Sequence, residues 1–375
     1  MKSVHTSAPG KLILFGEHSV VYNRKALCGS VSSKRIHCWI SSNNDQRLAV
    51  SVSEDTGNHF ETVVLDTNSL QKMNTSWFQR SQSAMEGFSI DRIFDSILSM
   101  SEIEMNPISP LTKSAVVMTV FYMYQLLSRD EWCCGLTVRL ENHGVPVQKG
   151  LGGSAALCVS LASAMLEYGN PGSKENGLFL REVNKWAFKG EVLFHGSPSG
   201  IDNTVSCYGG LVEFCKKQDG EYMIDFVESD PLSVILIDTM LPKNTAQMIA
   251  RVRKLREALP EATDYLFDSI EALVKAVVNE KQFQLEGICE VIRVNQGILK
   301  VLGVSCEAID KVVSIAAEYG YVAKLTGGGG GGCVMAITED SSNQEQLLNR
   351  LQEEGFKGEC ITLGGKGLIV DCLVS

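Results

Sequence analysis

The sequence predicts an α/β (α+β) protein of two domains, and three observations carry that prediction. Strand-like apolar runs fill much of residues 4–64 and recur at 136–140, 211–214 and 233–237. Strongly apolar helices stand between them, above all at 112–127 and 155–167, so strands and helices alternate as a layered α/β fold requires. Beyond about residue 245 the composition turns helix-rich, and a length of 375 residues is enough for two domains with sizeable cores.

The elements follow in order. Lys11-Leu12-Ile13-Leu14-Phe15 and Ile36-His37-Cys38-Trp39-Ile40 read as strands, with a polar stretch at 41–47 behind them. Leu48 to Val64 reads as a hairpin or a pair of strands. Residues 70–107 are polar and irregular, with one helix expected at 90–100. A helix at 112–127 precedes the strand Leu136-Thr137-Val138-Arg139-Leu140, and Gly169-Asn170-Pro171-Gly172 is the turn that ends the helix at 155–167. A helix at 182–194 carries Val183, Trp186, Ala187 and Gly190 along one face. Met248, Ile249, Val252, Leu255 and Leu259 keep the spacing of an amphipathic helix. Arg251, Arg253, Lys254 and Arg256 on its other face read as solvated charge. Further helices are expected at 263–280, 281–302 and 306–319. Strand, glycine loop and strand occupy 321–338, then a helix spans 343–354 and a last strand lies near 367–372. The boundary is expected near 225–232, dividing the chain into 1–228 and 229–375, with the final strand free to return to the first domain.

Hydrophobic residues make up 44% and charged residues 21%, the balance of an ordinary globular protein. No apolar run is long enough to span a bilayer, and the start of the chain, with Lys2 and then Pro9-Gly10, holds no apolar signal core. No membrane association and no secretion are therefore expected. The twelve cysteines lack metal-type spacing and sit mostly in apolar runs, which reads as reduced core thiols in a cytoplasmic protein. A net charge of −10 argues against a nucleic-acid partner. It also means that any anion site must be positive locally.

The chemistry concentrates in three stretches. Pro146-Val147-Gln148-Lys149-Gly150-Leu151-Gly152-Gly153-Ser154-Ala155-Ala156 is a glycine loop that runs straight into an apolar helix. Free amides at such a helix start, with the positive end of the helix dipole, favour a phosphate group. A tight turn with close helix packing is the competing reading of this loop by itself. Neither a P-loop nor a Rossmann fingerprint fits. No Gly-Lys-Ser/Thr is present, and the formal GxGxxG inside Gly327 to Gly332 leads into a strand at 333–337 instead of a helix. The other two stretches are Ser7-Ala8-Pro9-Gly10-Lys11-Leu12-Ile13-Leu14-Phe15-Gly16-Glu17-His18 and Lys324-Leu325-Thr326 followed by the six glycines.

All three, in this order, resemble the signature motifs of the galactokinase, homoserine kinase, mevalonate kinase and phosphomevalonate kinase (GHMP) family of small-molecule kinases. The likeness runs from about Val4 to about Val370. Within the family it is strongest to the branch that phosphorylates mevalonate. That likeness is carried by Gly16-Glu17-His18-Ser19-Val20-Val21-Tyr22, by His195-Gly196-Ser197-Pro198-Ser199-Gly200-Ile201-Asp202-Asn203 and by Lys324-Leu325-Thr326-Gly327.

The resemblance implies a two-domain kinase fold with its site in an interdomain cleft. The reaction implied is transfer of the γ-phosphoryl of ATP, with Mg2+, to the 5-hydroxyl of mevalonate in isoprenoid and sterol synthesis. The first domain would bind nucleotide and the second would carry the third glycine motif. Homodimerisation is implied as well. By the same resemblance Asp202 is the catalytic base and Lys11 its partner, the lysine also touching nucleotide. Gln148, Lys149, Gly150, Leu151, Gly152, Gly153, Ser154, Gly329 and Gly330 line the phosphates, and Ser154 and Glu191 hold the metal. Glu17, His18, Ser199, Lys243 and Thr326 border the acceptor. For His18, and more so for His195, a hydrogen-bonded structural histidine is the rival reading. Asp202, Lys11 and Glu191 taken singly read as a turn residue and surface charges. The loop departs from the family pattern at Gln148, Lys149 and Gly153, and Gly328 stands where alanine is common. A sibling acceptor (phosphomevalonate or a sugar) stays open, as does a catalytically silent regulator that binds ATP or a metabolite.

Overall fold

The computed structural model describes residues 2–54, 59–72, 90–99, 108–128, 134–146, 150–196, 198–216, 222–242, 245–279 and 285–374. The strands are β1 (Lys2–Phe15), β2 (Ala26–Ser42), β3 (Arg47–Ser53), β4 (Glu61–Asp66), β5 (Leu136–His143), β6 (Leu211–Lys216), β7 (Tyr222–Val227), β8 (Leu232–Asp238), β9 (Val322–Leu325), β10 (Cys333–Ile337), β11 (Lys357–Leu363) and β12 (Ile369–Val374). The helices are α1 (Thr67–Gln71), α2 (Ile90–Leu98), α3 (Pro110–Leu126), α4 (Gly153–Gly169), α5 (Phe179–His195), α6 (Ile201–Tyr208), α7 (Thr245–Ala258), α8 (Pro260–Asn279), α9 (Leu285–Val301), α10 (Glu307–Glu318) and α11 (Gln344–Glu353). The mixed α/β class matches the expectation. The sequence reading missed α1, α6, β7 and β11.

The residues assemble into two units that are discontinuous in the chain. One is Met1–Gly10, Lys34–Tyr208 and Lys366–Ser375, and the other is Lys11–Ser33 and Gly209–Gly365. The chain passes between them within β1, within β2, after α6 and after β11.

In the first unit the strands run β4-β3-β5-β2, with β12 antiparallel on β1. β3 and β5 are parallel, and β2 pairs antiparallel with β5 from Arg35↔His143 to Ser42↔Leu136. Alternation decides which face is covered: Ile36, Cys38 and Ile40 of β2 are buried, while His37 and Trp39 between them are half-exposed. Helices α3 and α4 belong to the same core and are buried on almost every side, as helices with apolar residues all round must be. Pro110 opens α3 behind Ser109, whose Oγ accepts from the Thr112 amide at 3.2 Å. α5 is amphipathic and sets Val183, Ala187, Gly190 and Glu191 inward, with Trp186 only partly covered.

The second unit pairs β11, β8, β10 and β9 in that order, all antiparallel, and pairs the early half of β2 with the β6–β7 hairpin. Its core gathers Ile235 and Ile237 of β8, Val252 of α7, Phe267 and Ile270 of α8, and Leu299 of α9. On α7 only Val252 is fully buried, and Arg251, Arg253 and Lys254 are exposed. Arg256 forms a forked pair with Asp264 at 2.7 and 3.1 Å.

Gly190 marks the tightest helix approach near the residues of interest. A Cβ there would lie 2.3 Å from Tyr122 Oη and 2.7 Å from Cys158 Sγ, both on buried side chains. Overpacking of this kind costs about 1–3 kcal/mol, against which alanine returns about 1 kcal/mol of helix propensity. Gly190→Ala is therefore expected to lower the midpoint of thermal unfolding. A midpoint at or above that of the parent would show that the three helices have room to spare.

Candidate active site

In the first unit the glycine loop ends on α4 as the sequence suggests. Gly152 caps the helix in the left-handed region (φ 70°, ψ 29°), and its carbonyl accepts from the Ala156 amide at 2.9 Å. The cap residue is a glycine with no side chain to offer, and Ser154 stands inside the helix with its Oγ on His195. The early amides of α4 have no partner within the helix, which is the condition for anion binding there. The loop is held from behind by β1: a Cβ at Gly10 would fall 2.6 Å from the Leu151 carbonyl oxygen. Gly150 also takes a positive φ, 77°. Gln148 and Lys149, expected at the loop entrance, lie outside the described residues.

Ser154 and Glu191 converge through a third residue. His195 Nε2 lies 3.1 Å from Ser154 Oγ and 3.7 Å from Glu191 Oε2. Helix periodicity explains the second contact, because Glu191 and His195 are four apart on α5. Glu191 is 2% exposed, and Cys158 Sγ of α4 stands 3.9 Å from its Oε1. Burial, reinforced by the Glu191 charge, pushes the Cys158 thiol well up, so it meets the carboxylate as a protonated donor. A hydroxyl and one buried carboxylate are hard oxygen donors, the set a magnesium ion takes when waters and phosphate oxygens complete its shell. Among the described residues no cluster of three or more His, Cys, Asp or Glu forms a closed metal site. Ser154 and Glu191 fit an open one.

Asp202 sits in the first turn of α6, where a carboxylate complements the helix dipole. Gly200 (φ 81°) turns the chain into that helix, and the Ile201 amide donates to Ser199 Oγ at 3.4 Å. Next to Asp202, Asn203 Nδ2 donates to Asn184 Oδ1 of α5 at 2.6 Å, which fixes α6 against α5.

The second unit holds the remaining residues. Lys11 is buried on β1. Gly16, with φ 101°, turns the chain after β1, and a Cβ there would meet Ala26 Cα at 2.4 Å. Glu17 follows and is buried in an ion pair with Lys324 of β9. Lys324 Nζ also donates to the Leu325 carbonyl at 2.8 Å, and Asn295 Nδ2 donates to Glu17 Oε2 at 3.3 Å. Burial drives the net shift of both partners, raising the Glu17 carboxyl and lowering the Lys324 ammonium, while each charge pushes the other back.

Thr326 Oγ1 donates to the Ile13 carbonyl at 2.9 Å, and His18 Nε2 donates to the Gly328 carbonyl at 2.9 Å. Burial lowers the His18 pKa, and the bond to Gly328 opposes that shift. Glu17, His18, Thr326 and the six-glycine loop are thus one assembly. The glycines are needed for conformation: Gly327, Gly329, Gly330, Gly331 and Gly332 all have positive φ. A Cβ at Gly329 would lie 2.2 Å from the Val304 carbonyl oxygen, and one at Gly328 would lie 2.8 Å from Thr245 Oγ1. Lys243, expected beside the acceptor, lies outside the described residues.

Models of the GHMP kinases N terminal domain and of the GHMP kinases C terminal match residues 116–210 and 269–357. Mevalonate kinase of Schizosaccharomyces pombe is 33% identical over 98% of this chain and 92% of its own length. The chain belongs to the mevalonate kinase family of GHMP kinases. Mevalonate kinase of Arabidopsis thaliana is 30% identical over 97% of the chain and 98% of its own length. The fold of the family is shared by the structure of L. major mevalonate kinase in complex with R-mevalonate, at a TM-score of 0.67 and 21% identity over 96% of each chain. The Methanococcus jannaschii enzyme gives 0.69 and 20% over 99% of this chain and 98% of that one.

Sequence reasoning missed the Glu17–Lys324 pair and the place of His195 between Ser154 and Glu191. Helix spacing carried a signal for His195, and nothing local carried one for the pair. The pair also sets a stability test. Removing one charge and stranding the other in the core costs about 3–5 kcal/mol, whereas replacing both by apolar groups is close to neutral. Lys324→Met is expected to shift urea unfolding by that amount, and Glu17→Leu/Lys324→Met to recover most of it. A single variant as stable as the parent would mean that the pair is not desolvated.

Proposed function

We propose that this chain transfers the γ-phosphoryl group of ATP to the 5-hydroxyl of mevalonate, giving 5-phosphomevalonate and ADP. The observation that carries the reading is identity of 30–33% over nearly the whole length to proteins named mevalonate kinase. The joining of Glu17 and His18 to the third motif in the second unit, and the glycine loop opening onto α4 in the first, support it.

The roles follow from chemistry. Fixed amides of Gly150, Leu151, Gly152 and Gly153 at the start of α4, with Gln148 and Lys149 ahead of them, cradle the phosphates. Gly329 and Gly330 add amides from the third motif. Mg2+, held by Ser154 and Glu191 when bound, neutralises charge on the phosphate oxygens. Asp202 accepts the proton of the 5-hydroxyl as the alcohol oxygen bonds to the γ-phosphorus. The bond to the bridging oxygen breaks, and ADP leaves with that electron pair. A carboxylate is a weak base for an alcohol, so in this reading Lys11 assists it by lowering the hydroxyl pKa. Glu17, His18, Ser199, Thr326 and Lys243 border the acceptor, the lysine as partner of its carboxylate. A homodimer in the cytoplasm belongs to the same reading and rests on the family resemblance.

The test is ADP release with magnesium, with and without mevalonate, beside phosphomevalonate and galactose. Release that depends on mevalonate is expected. Preference for another acceptor would move the chain to a sibling activity, and ATP binding without turnover would make it a regulator. Asp202→Asn and Lys11→Met are each expected to lower turnover by about 10²–10⁴-fold with the fold intact. Near-parental turnover in either variant would remove that residue from the mechanism.

A further inference from the structure

His18 has the one backbone feature of the first motif that the proposed chemistry does not use. Its φ of 63° and ψ of −44°, with the Ser19 amide donating to the Glu17 carbonyl at 2.7 Å, make it the centre of a γ-turn. That turn is rare and strained for a residue with a side chain. Strain of this kind persists only where the surroundings over-determine it. Here they do so on both sides: Gly16 is pinned by the backbone of Ala26, and Glu17 is pinned by Lys324 and Asn295 in the core. From this strained turn the imidazole Nε2 donates to the carbonyl of Gly328.

The six-glycine loop needs such a hold. Glycine loses more conformational freedom on ordering than any other residue, and six in a row form the segment of this chain least able to order itself. Its far end is fixed by backbone bonds, Gly330 to the Val304 carbonyl at 2.8 Å and Gly332 to the Leu241 carbonyl at 3.2 Å. Its near end is fixed by Thr326 on Ile13. The bond from His18 to Gly328 lies between those anchors and comes from a side chain.

We propose that His18 is a positioning residue for the six-glycine loop, held in its strained turn by the buried Glu17–Lys324 pair, and that this clamp sets the loop for the phosphates of ATP. The role at the phosphates rests on the kinase reading above. The clamp itself does not. It gives the geometry of the first motif a purpose beyond touching the acceptor: Gly16 makes the turn, Glu17 anchors it and His18 reaches the third motif.

His18→Asn tests it, since asparagine tolerates a positive φ but is too short to reach Gly328. Hydrogen exchange of the amides at 327–332 is read without nucleotide, and KM for ATP, KM for mevalonate and kcat are read at saturating magnesium. Exchange at 327–332 is expected to speed up about tenfold or more while the rest of the chain keeps its protection. Loss of kcat/KM for ATP by about ten- to a hundredfold is expected, a larger effect than any change in KM for mevalonate. His18→Gln, which has the reach and an N–H to donate, is expected to recover part of both. Glu17→Leu/Lys324→Met is expected to regain thermal stability yet keep fast exchange at 327–332, a split that a merely structural pair would not produce. Parental exchange at 327–332 in His18→Asn and in the double variant would overturn the clamp. So would a change confined to KM for mevalonate, which would make His18 a substrate contact. If the parent chain fails to phosphorylate mevalonate, the kinase reading falls, and the exchange measurement still judges the clamp.

Discussion

An ion pair sealed from water, Glu17 with Lys324, is the constraint on which the arrangement of the second unit's motif residues depends. Two charges taken out of solvent lose several kcal/mol of hydration each and regain it only at close range and in good geometry. Apolar residues of the same size would stabilise a core as well and would tolerate sliding. A carboxylate that must meet an ammonium and an amide together does not slide. The segment after β1 and the start of the third motif are thereby held in one register, although about 300 residues separate them in the chain. Everything attached to them inherits that register: Lys11 on β1, the turn at His18 and the first residues of the glycine loop.

The first unit reaches comparable rigidity with small residues. α4 reads Ala155, Ala156, Ser160, Ala162, Ser163 and Ala164 along its buried surface, and α5 offers Gly190 where Tyr122 and Cys158 press closest. Small side chains bring helix axes together, and close axes leave a long polar side chain few rotamers. Glu191 is such a side chain. Buried among apolar neighbours, it is aimed by backbone packing and by weak contacts to Cys158 and His195. A carboxylate held this way has lost its conformational entropy before any cation arrives, which is the condition for tight binding by few ligands.

Much of this was legible in the sequence, and the parts that were not share a cause. Periodicity placed the helices at α3, α4 and α5 to within a few residues, because those segments carry long apolar patterns, opened by proline in α3 and ended by glycine in α4 and α5. Glycine spacing placed both loops. Short elements rich in Asn, Thr, Ser and Cys escaped, and α6 is the instructive case. Its residues favour turns in isolation, and it is helical because Ser199 and Gly200 start it and Asn203 locks onto Asn184. β11 escaped because a strand in mid-sheet is defined by partners far along the chain, here β8 and Val31 of β2. The units escaped for a similar reason. The composition shift near 225–232 marks where helices become frequent, while a strand that starts in one unit and ends in another leaves no local mark. The Glu17–Lys324 pair is the extreme of the same rule, since neither residue's neighbours hint that a charge is buried.

The charge balance of the chain makes these arrangements necessary. A surface with ten excess negative charges repels a nucleotide at long range, the more so at low salt. Attraction has to come from groups that act at contact and cannot be screened: backbone amides, a helix start and a few buried cations. Amides carry only partial charges, so they must be several and must point together, which a glycine loop achieves only when its conformation is fixed beforehand. Fixing it by more side chains would fill the space the ligand needs, and positive φ at five of six positions excludes most of them in any case. The remaining option is to hold the loop from its back, through backbone and threonine hydroxyl bonds at its ends and a ring nitrogen on its second glycine. That is the arrangement found around Gly328, and it explains why an acidic protein stores strain at a histidine instead of adding another lysine.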